Sequence, residues 1–328
     1  MKRLSESEMS SPKRERNEEY ELADLKASCI PLVLTDSRPP CTFLEENNPL
    51  LTDGDVIFQE EGHIYRYAKE TPEEAAKHPP IKSVTKVIHH YFHPFDEARM
   101  AKRKAHLTDL PPGDDYYDKT EAEVIEMWAM DRALGKEMHY NAECMPNIMA
   151  YQHETWEMKM LARFFSQHPY LVPLRTEKIL REYEHRIAGS CDLLCKDLRY
   201  PGAYYVIDYK RCREIRKEGY CECRRSYLGP GNWKCEEMNG VACTRYGTHP
   251  ATAKMQDCNF SHYTIQLNLY RWLFELTENM LISGQALLVL NPKQTDYVLH
   301  EVPLVPEVIF EILEDRKREV AEFYERLR

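Results

Sequence analysis

The sequence predicts an α/β (α+β) domain in which a mixed central β-sheet is flanked by helices and preceded by an N-terminal helical region. Three observations carry this. Hydrophobic residues make up 43% of the chain and charged residues 30%, the balance of a globular protein with a sizeable core. The apolar period is helical up to about residue 167 and shifts to strand-like alternation from Leu171 to Ile187. Two further strands, a strong helix, a short apolar strand and a closing amphipathic helix then follow in order.

Taken from the N-terminus, residues 1–50 are polar, with Ser, Pro and clustered charge, and are expected to be a disordered or loosely packed tail. Pro12-Lys13-Arg14-Glu15-Arg16 has some likeness to a nuclear-import signal, but a solvated charge run explains it more simply. Residues 51–170 form a hairpin and helical region. Within it, Val56–Tyr67 reads as a hairpin turning at Glu61-Gly62. After Pro79-Pro80, Ser83 or Thr85 is placed to cap a short helix running through KVIHHYF. His89, His90 and His93 lack the cysteine support of a zinc site. Asp96–His106 is a basic helix, broken by Pro111-Pro112-Gly113-Asp114. Glu121–Cys144 is a long helix with Val124, Met127, Trp128, Met130 and Leu134 at core spacings, Gly135 for close packing, and His139 one turn further on. Tyr151–Phe165 is a second amphipathic helix.

Residues 171–328 form the core, interrupted by a Cys-rich basic insertion at about 211–261. The stretch Gly189–Arg211 carries the chemistry. Asp192 follows a small-residue turn, and Asp208 ends the apolar run Val206-Ile207 sixteen positions later, a separation that suits two arms of a hairpin. Asp208, Lys210 and Val206 share one face of their strand, while Ile207 and Tyr209 face the other way. Two carboxylates brought together repel, and a hard divalent cation with oxygen ligands, Mg²⁺ or Mn²⁺, relieves them. Gln266 and Tyr270 are four apart on the helix Tyr263–Thr277 and share a face.

This order of residues resembles the PD-(D/E)xK nuclease superfamily, and within it the RecB-like branch. That branch includes CRISPR-adaptation nucleases, a mitochondrial genome maintenance exonuclease and chains of large DNA viruses and phages. The matching pieces are His139 in GKEMH, Glu177, Asp192 in GSCD, Asp208 and Lys210 in DYK, and Gln266 and Tyr270 in QLNLY, with Ser83-Val84-Thr85 upstream. The resemblance spans roughly residues 57–291. It implies a restriction-endonuclease-like core holding one or two Mg²⁺ or Mn²⁺ ions on His139, Asp192, Asp208 and the Tyr209 carbonyl. It also implies a catalytic Lys210 and a Glu177 that supports the centre. Gln266, Tyr270, Arg211, Ser83, Thr85 and Lys86 would support the site or contact DNA.

The resemblance further implies a metal-dependent deoxyribonuclease, an exonuclease on single-stranded or free DNA ends, with a role in replication, recombination or repair. A catalytically inactive DNA-binding or adaptor protein on the same fold stays open. So does a zinc-organised module built on Cys212, Cys221, Cys223, Cys235, Cys243 and Cys258 with His249 and His262. The Cys221-Glu222-Cys223 spacing counts against zinc. No cysteine follows Cys258, which counts against the iron–sulfur cluster of some RecB-like relatives.

The formal net charge of −10 disfavours nucleic acid as a partner, but residues 175–234 carry 14 Lys and Arg against 9 Asp and Glu around the proposed site. Arg211, Arg213, Arg216, Lys217, Arg224 and Arg225 would make the insertion a lid over DNA. No apolar run is long enough to cross a membrane, and no apolar signal core stands at the N-terminus. The expectation is therefore an intracellular protein, nuclear or cytoplasmic. The glutamate-rich start argues against a mitochondrial transit peptide, and the eleven cysteines read as free thiols or ligands.

Overall fold

A computed structural model describes the chain except residues 1–11, 52, 61, 63, 108–109, 221–224, 228–232 and 236–243, with backbone alone at 12–18, 50, 225–227 and 233–235. In chain order the elements begin with helices α1 (Pro12–Ala27) and α2 (Phe43–Asn47), the hairpin β1 (Val56–Gln59) and β2 (Ile64–Tyr67), and the short helix α3 (Pro72–Ala75). Next come β3 (Lys82–Ser83), α4 (Val84–His89), α5 (Glu97–Ala105), α6 (Glu121–Cys144) and α7 (Trp156–Gln167). Strands β4 (Leu171–Glu182), β5 (Ile187–Asp197) and β6 (Ala203–Lys210) follow, then the pair β7 (Arg225–Tyr227) and β8 (Trp233–Cys235). The chain closes with α8 (Asn259–Thr277), β9 (Leu281–Val289), β10 (Val298–Glu301) and α9 (Pro306–Arg326).

The central sheet has six strands and is mixed. β5 pairs antiparallel with β4 and β6, β6 runs parallel to β9, β10 closes one edge antiparallel, and β3 lies parallel to the start of β5. Side-chain alternation sorts the strand residues into two layers. Leu194, Val206, Leu287 and Val289 face a core made with α4, α8 and α9. Leu193, Ile207, Tyr209, Ala286 and Leu288 face the other, made with Met138 and Ala142 of α6 and Met158, Met160, Leu161 and Phe164 of α7. A sheet buried on both sides needs near-continuous apolar strands, and β5, β6 and β9 have them. The β1–β2 hairpin adds a smaller cluster, Val56, Tyr65 and Tyr67 against Ala188.

Helix α6 begins where its sequence says it should. Thr120 and Glu123 form a reciprocal capping box at its N-terminus. Two expectations on it change. Met130 is exposed rather than in the core. A Cβ on Gly135 would meet nothing within 4 Å, so that glycine answers no close packing.

The expected loose tail is also corrected. Residues 30–51 form a strap over α6, α7 and β4, with Leu32 and Leu44 buried. Thr35 donates its backbone N–H and its hydroxyl to Glu137, and Arg38 pairs with the same carboxylate at 3.0 Å. The Leu44 N–H reaches Asn147 Oδ1 at 2.9 Å, and Asn48 Nδ2 reaches the Leu174 carbonyl at 3.1 Å. Lys26 of α1 donates to the Gln294 carbonyl at 2.6 Å. These anchors are polar and scattered, so no apolar period announces them. Residues 1–11, including the start of the tail, lie outside the described residues.

The expected long strand 171–187 stops at Glu182 and turns back through 183–186, with a register shift between Pro173 and Arg175. The expected strand Ala286–Leu290 starts earlier, at Leu281. Helix α7 starts at Trp156 rather than Tyr151. Of the insertion, Cys212 is half-buried and Cys258 buried, both as thiols. The chain there is tied down through Tyr220, Arg245 and Asp257 backbone bonds. Cys221, Cys223, Cys243, Arg224 and the Gly229-Pro230-Gly231 loop lie outside the described residues, as do the side chains of Arg225 and Cys235. Among the described residues no helix is long and apolar enough to cross a membrane.

Candidate active site at a fork in the sheet

Strand β5 changes neighbours along its length. The last β5–β6 pair is Leu193 with Ile207, and the first β3–β5 pair is Ser83 with Ala188. Residues 189–192 stand in the fork between them. Asp192 lies one step beyond the last β6 pair, which puts it opposite Asp208. On its other side, the pairs Thr176–Leu193 and Lys178–Cys191 put Glu177 of β4 opposite Asp192. Three carboxylates therefore stand in a row across three adjacent strands. Like charges directly opposite one another destabilise a sheet.

His139 of α6 comes down onto this row, its Nδ1 3.4 Å from Asp192 Oδ2. The ligand atoms of His139, Glu177 and Asp192 all lie within 4.8 Å of one another. Asp192 Oδ2 also accepts the Tyr209 backbone N–H at 2.7 Å, a bond made because β6 has left the ladder. Ser190 Oγ donates to Glu177 Oε2 at 2.8 Å. Asp208 is ion-paired with Lys210, and its Oδ1 accepts from Gln266 Nε2 at 3.3 Å. Gln266 in turn donates to the Tyr270 hydroxyl at 3.0 Å. The Lys210 ammonium sits 4.5 Å over the Tyr263 ring.

The electrostatics follow from crowding. Burial opposes charge on His139, yet the Asp192 carboxylate beside it prevails and raises its pKa. Burial, with Asp192 across the ladder, pushes Glu177 up. Burial also pushes Asp208 up, against the pull of Lys210 and with the push of Asp192. Asp192 is the one acid held below its ordinary value: burial is outweighed by His139, Lys210 and the Tyr209 N–H. Burial disfavours charge on Lys210, but Asp208 more than restores it. With all three carboxylates ionised the row would exceed its own two cations by one negative charge; the raised Glu177 keeps a proton in relief, and a divalent cation can take that proton's place.

Two backbone features mark the site. Glu177 has φ +44°, in the left-handed region that a residue with a side chain rarely enters. At Gly189 the requirement is space: a Cβ there would lie 2.6 Å from Tyr270 Cε1 and 3.0 Å from Val84 Cγ2. The glycine lets α8 come close enough for Gln266 to reach Asp208.

The structure brings together His139, Glu177, Asp192, Asp208, Lys210, Gln266 and Tyr270. Glu177, expected as a supporting residue, is the group clustered with His139 and Asp192. Asp208, expected as a direct partner of that pair, is taken up by Lys210. The ring of Tyr209 points into the core on the α6 side, edge-on to His139 at 6.0 Å. Ser83 is buried and accepts the Lys86 N–H as the cap of α4, and its hydroxyl also contacts that of Thr85, so neither is a free contact group. Lys86 is exposed and reaches the Gly62 carbonyl at 3.3 Å. Arg211, expected at a DNA surface, is instead half-buried and paired with Glu157 at 3.0 Å and Asp131 at 3.8 Å. Arg213 pairs with Asp115 at 2.9 Å, tying the insertion to the loop before α6.

Glu143 was not foreseen. It lies one turn beyond His139 on α6, half-buried, and burial raises it to about 7 while nearby Arg175 pulls the other way. Its i+4 spacing from His139 was the available signal. Among the described residues, a second cluster of potential ligands, Glu182, Glu184 and His185, sits in the β4–β5 turn, closed on itself by the His185–Glu182 contact at 2.6 Å.

No family profile and no curated protein matches the chain. Among solved structures it is similar to the crystal structure of SSO0001, at 15% identity and a TM-score of 0.29 over 75% of this chain and 81% of that one. It is also similar to a "Putative exonuclease" of Eubacterium rectale, at 12% identity and a TM-score of 0.32 over 78% and 85%. Neither likeness is strong enough to bear on function.

Proposed function

We propose that the chain is a divalent-metal-dependent nuclease that hydrolyses phosphodiester bonds in DNA. One observation carries the reading: the carboxylates of Glu177, Asp192 and Asp208 stand in a row across three strands, with His139 above them and Lys210 beside them. A row of that kind costs stability when all three carboxylates are ionised, and a divalent cation relieves it. The donors are carboxylate oxygens and one imidazole, a set that fits Mg²⁺ or Mn²⁺ rather than a soft metal. His139, Glu177 and Asp192 would hold the ion, with Asp208 and the Tyr209 carbonyl completing the set. When bound, such an ion supplies an acidified water and neutralises charge at phosphorus.

The chain's own groups do the rest. Asp208 fixes the Lys210 ammonium at the open end of β6, where it orients the attacking water or steadies the charge that develops on the phosphate. Gln266, held by Tyr270, fixes Asp208 in turn. Water oxygen bonds to phosphorus and gives up a proton to solvent, the opposite P–O bond breaks, and the departing oxygen takes a proton back from solvent. The motif order favours an exonuclease of the RecB-like branch acting on free or single-stranded ends, in replication, recombination or repair.

The deciding experiment is an Mn²⁺-supplemented assay on end-labelled oligonucleotides. Asp208→Ala and Lys210→Ala should each lose about 100-fold or more. Activity within a few-fold of the unaltered chain would defeat the mechanism. Resistance of a circular single strand distinguishes an exonuclease from an endonuclease.

A further inference from the structure

One face of α6 leads away from the site. Trp128, Arg132, Gly135 and His139 recur at spacings of four, three and four, so they lie in one stripe of the helix. From His139 to Trp128 the stripe runs about 16 Å along the axis. Above Gly135 there is open space: a Cβ there would touch nothing within 4 Å. At the far end Phe95, 69% exposed, stands 6.0 Å from the half-buried Trp128 ring at a 55° tilt. Trp128 is held in place by its Nε1 donating to the Tyr116 hydroxyl at 3.1 Å.

Beside Phe95, helix α5 presents a basic run that suits a polyanion. Phe95 leads into α5, whose EARMAKRKA sequence has one acid against Arg99, Lys102, Arg103 and Lys104. Three acids of the wall are paired: Glu97 with Arg132 at 2.7 Å, Asp131 with Arg211 at 3.8 Å, and Asp115 with Arg213 at 2.9 Å and Lys293 at 2.6 Å. A duplex buries its base faces, whereas a single strand offers them to aromatic rings. An exposed Phe95 backed by the half-buried Trp128, bordered by the basic α5 and joined by an open helix face to the phosphate chemistry, therefore fits single-stranded DNA.

We infer that Phe95 and Trp128 form a stacking platform for unpaired bases, and that one DNA strand lies along α6 over Gly135 between this platform and His139. The inference rests on the nuclease reading for the direction of the strand. The platform itself is testable without cleavage.

The test is fluorescence-polarisation binding of a labelled single-stranded oligonucleotide in EDTA, with quenching of tryptophan emission as a second readout. Phe95→Ala should weaken single-strand binding about tenfold, in the range of one lost base stack. Phe95→Tyr should restore it, and binding of a blunt duplex should change much less. Gly135→Leu, whose Cβ enters open space, should weaken single-strand binding as well. Phe310→Ala, an exposed aromatic on α9, serves as the control and should bind as the unaltered chain does. Single-strand binding indifferent to Phe95→Ala and to Gly135→Leu would overturn the platform. So would an equal loss for duplex and single strand, which points to charge alone. If the chain cleaves no DNA yet single-strand binding depends on Phe95, the nuclease reading falls and the platform stands. If cleavage depends on Asp208 but binding ignores Phe95, the platform falls alone.

Discussion

Strand β5 carries one buried aspartate at its middle and another at its end, and the two are treated differently. Asp197, 1% exposed, is fully provided for. Arg199 grips it at 2.9 and 2.8 Å, Ser283 donates to it at 2.7 Å, and the Arg199 N–H reaches it at 3.1 Å. Those partners, Arg199 foremost, hold its pKa down to about 2. Asp192, 8% exposed, faces two further carboxylates instead, Glu177 and Asp208. The same side chain on the same strand is a satisfied brace at its end and, at its middle, one of three crowded carboxylates. A carboxylate whose partners are all internal holds the fold together. One crowded by its own kind is waiting for a charge from outside.

Substitutions should separate the two aspartates, and the largest effect belongs to the fork. Asp192→Asn should lower nuclease activity by about 100-fold or more while leaving thermal stability in EDTA nearly unchanged, because losing the charge contacts to His139 and Lys210 is offset by relief of repulsion from Glu177 and Asp208. Mn²⁺ should raise the melting temperature of the unaltered chain and not of this variant. A variant that unfolds in EDTA would make Asp192 a brace like Asp197 and erase the contrast.

Gly189→Ala should come next. Its Cβ collides with Tyr270 and Val84, at a cost of about 1–3 kcal/mol by denaturant unfolding. Activity should fall with it, through the Gln266–Asp208 contact. Normal stability together with normal activity would show that α8 has room to move.

At the end of β5, Asp197→Asn should cost roughly 1–2 kcal/mol and leave the cleavage rate intact, since water screens part of the half-exposed Arg199. Its folded pKa lies below the ordinary carboxylate value. The stability it contributes is therefore present above about pH 4 and drains away as pH falls toward 2. Acid unfolding curves of the two chains should converge there.

The smallest change is Glu177→Gly. It releases the left-handed backbone strain, for a gain of up to about 1 kcal/mol in EDTA, and it weakens Mn²⁺ binding measured by calorimetry. A loss of stability would mean that the Ser190 contact outweighs the strain.

Much of the site was legible because its pieces obey short-range rules. Asp208 and Lys210 share a face by strand alternation, Gln266 and Tyr270 by helix spacing, and the sixteen-residue gap from Asp192 to Asp208 matched the observed pairing. Helix α6 announced itself through the core spacings of Val124, Met127, Trp128 and Leu134, and the structure adds the Thr120–Glu123 capping box. What stayed hidden involved partners far along the chain. Arg211 looked like a surface cation until Glu157 and Asp131 were seen to enclose it. The strap 30–51 has almost no apolar period, and its order comes from polar bonds to Glu137 and Asn147 across about a hundred residues.

From the sequence alone come the order of helices and strands, the faces of each, and the residues able to ligate a hard cation, since all of these depend on periods of two or 3.6 and on side-chain chemistry. Only the folded chain decides that β6 leaves β5 at Leu193, and that Glu177 as well as Asp208 stands across from Asp192. Strand register and the point where two strands part are set by packing on both sides of the sheet, which no local pattern contains.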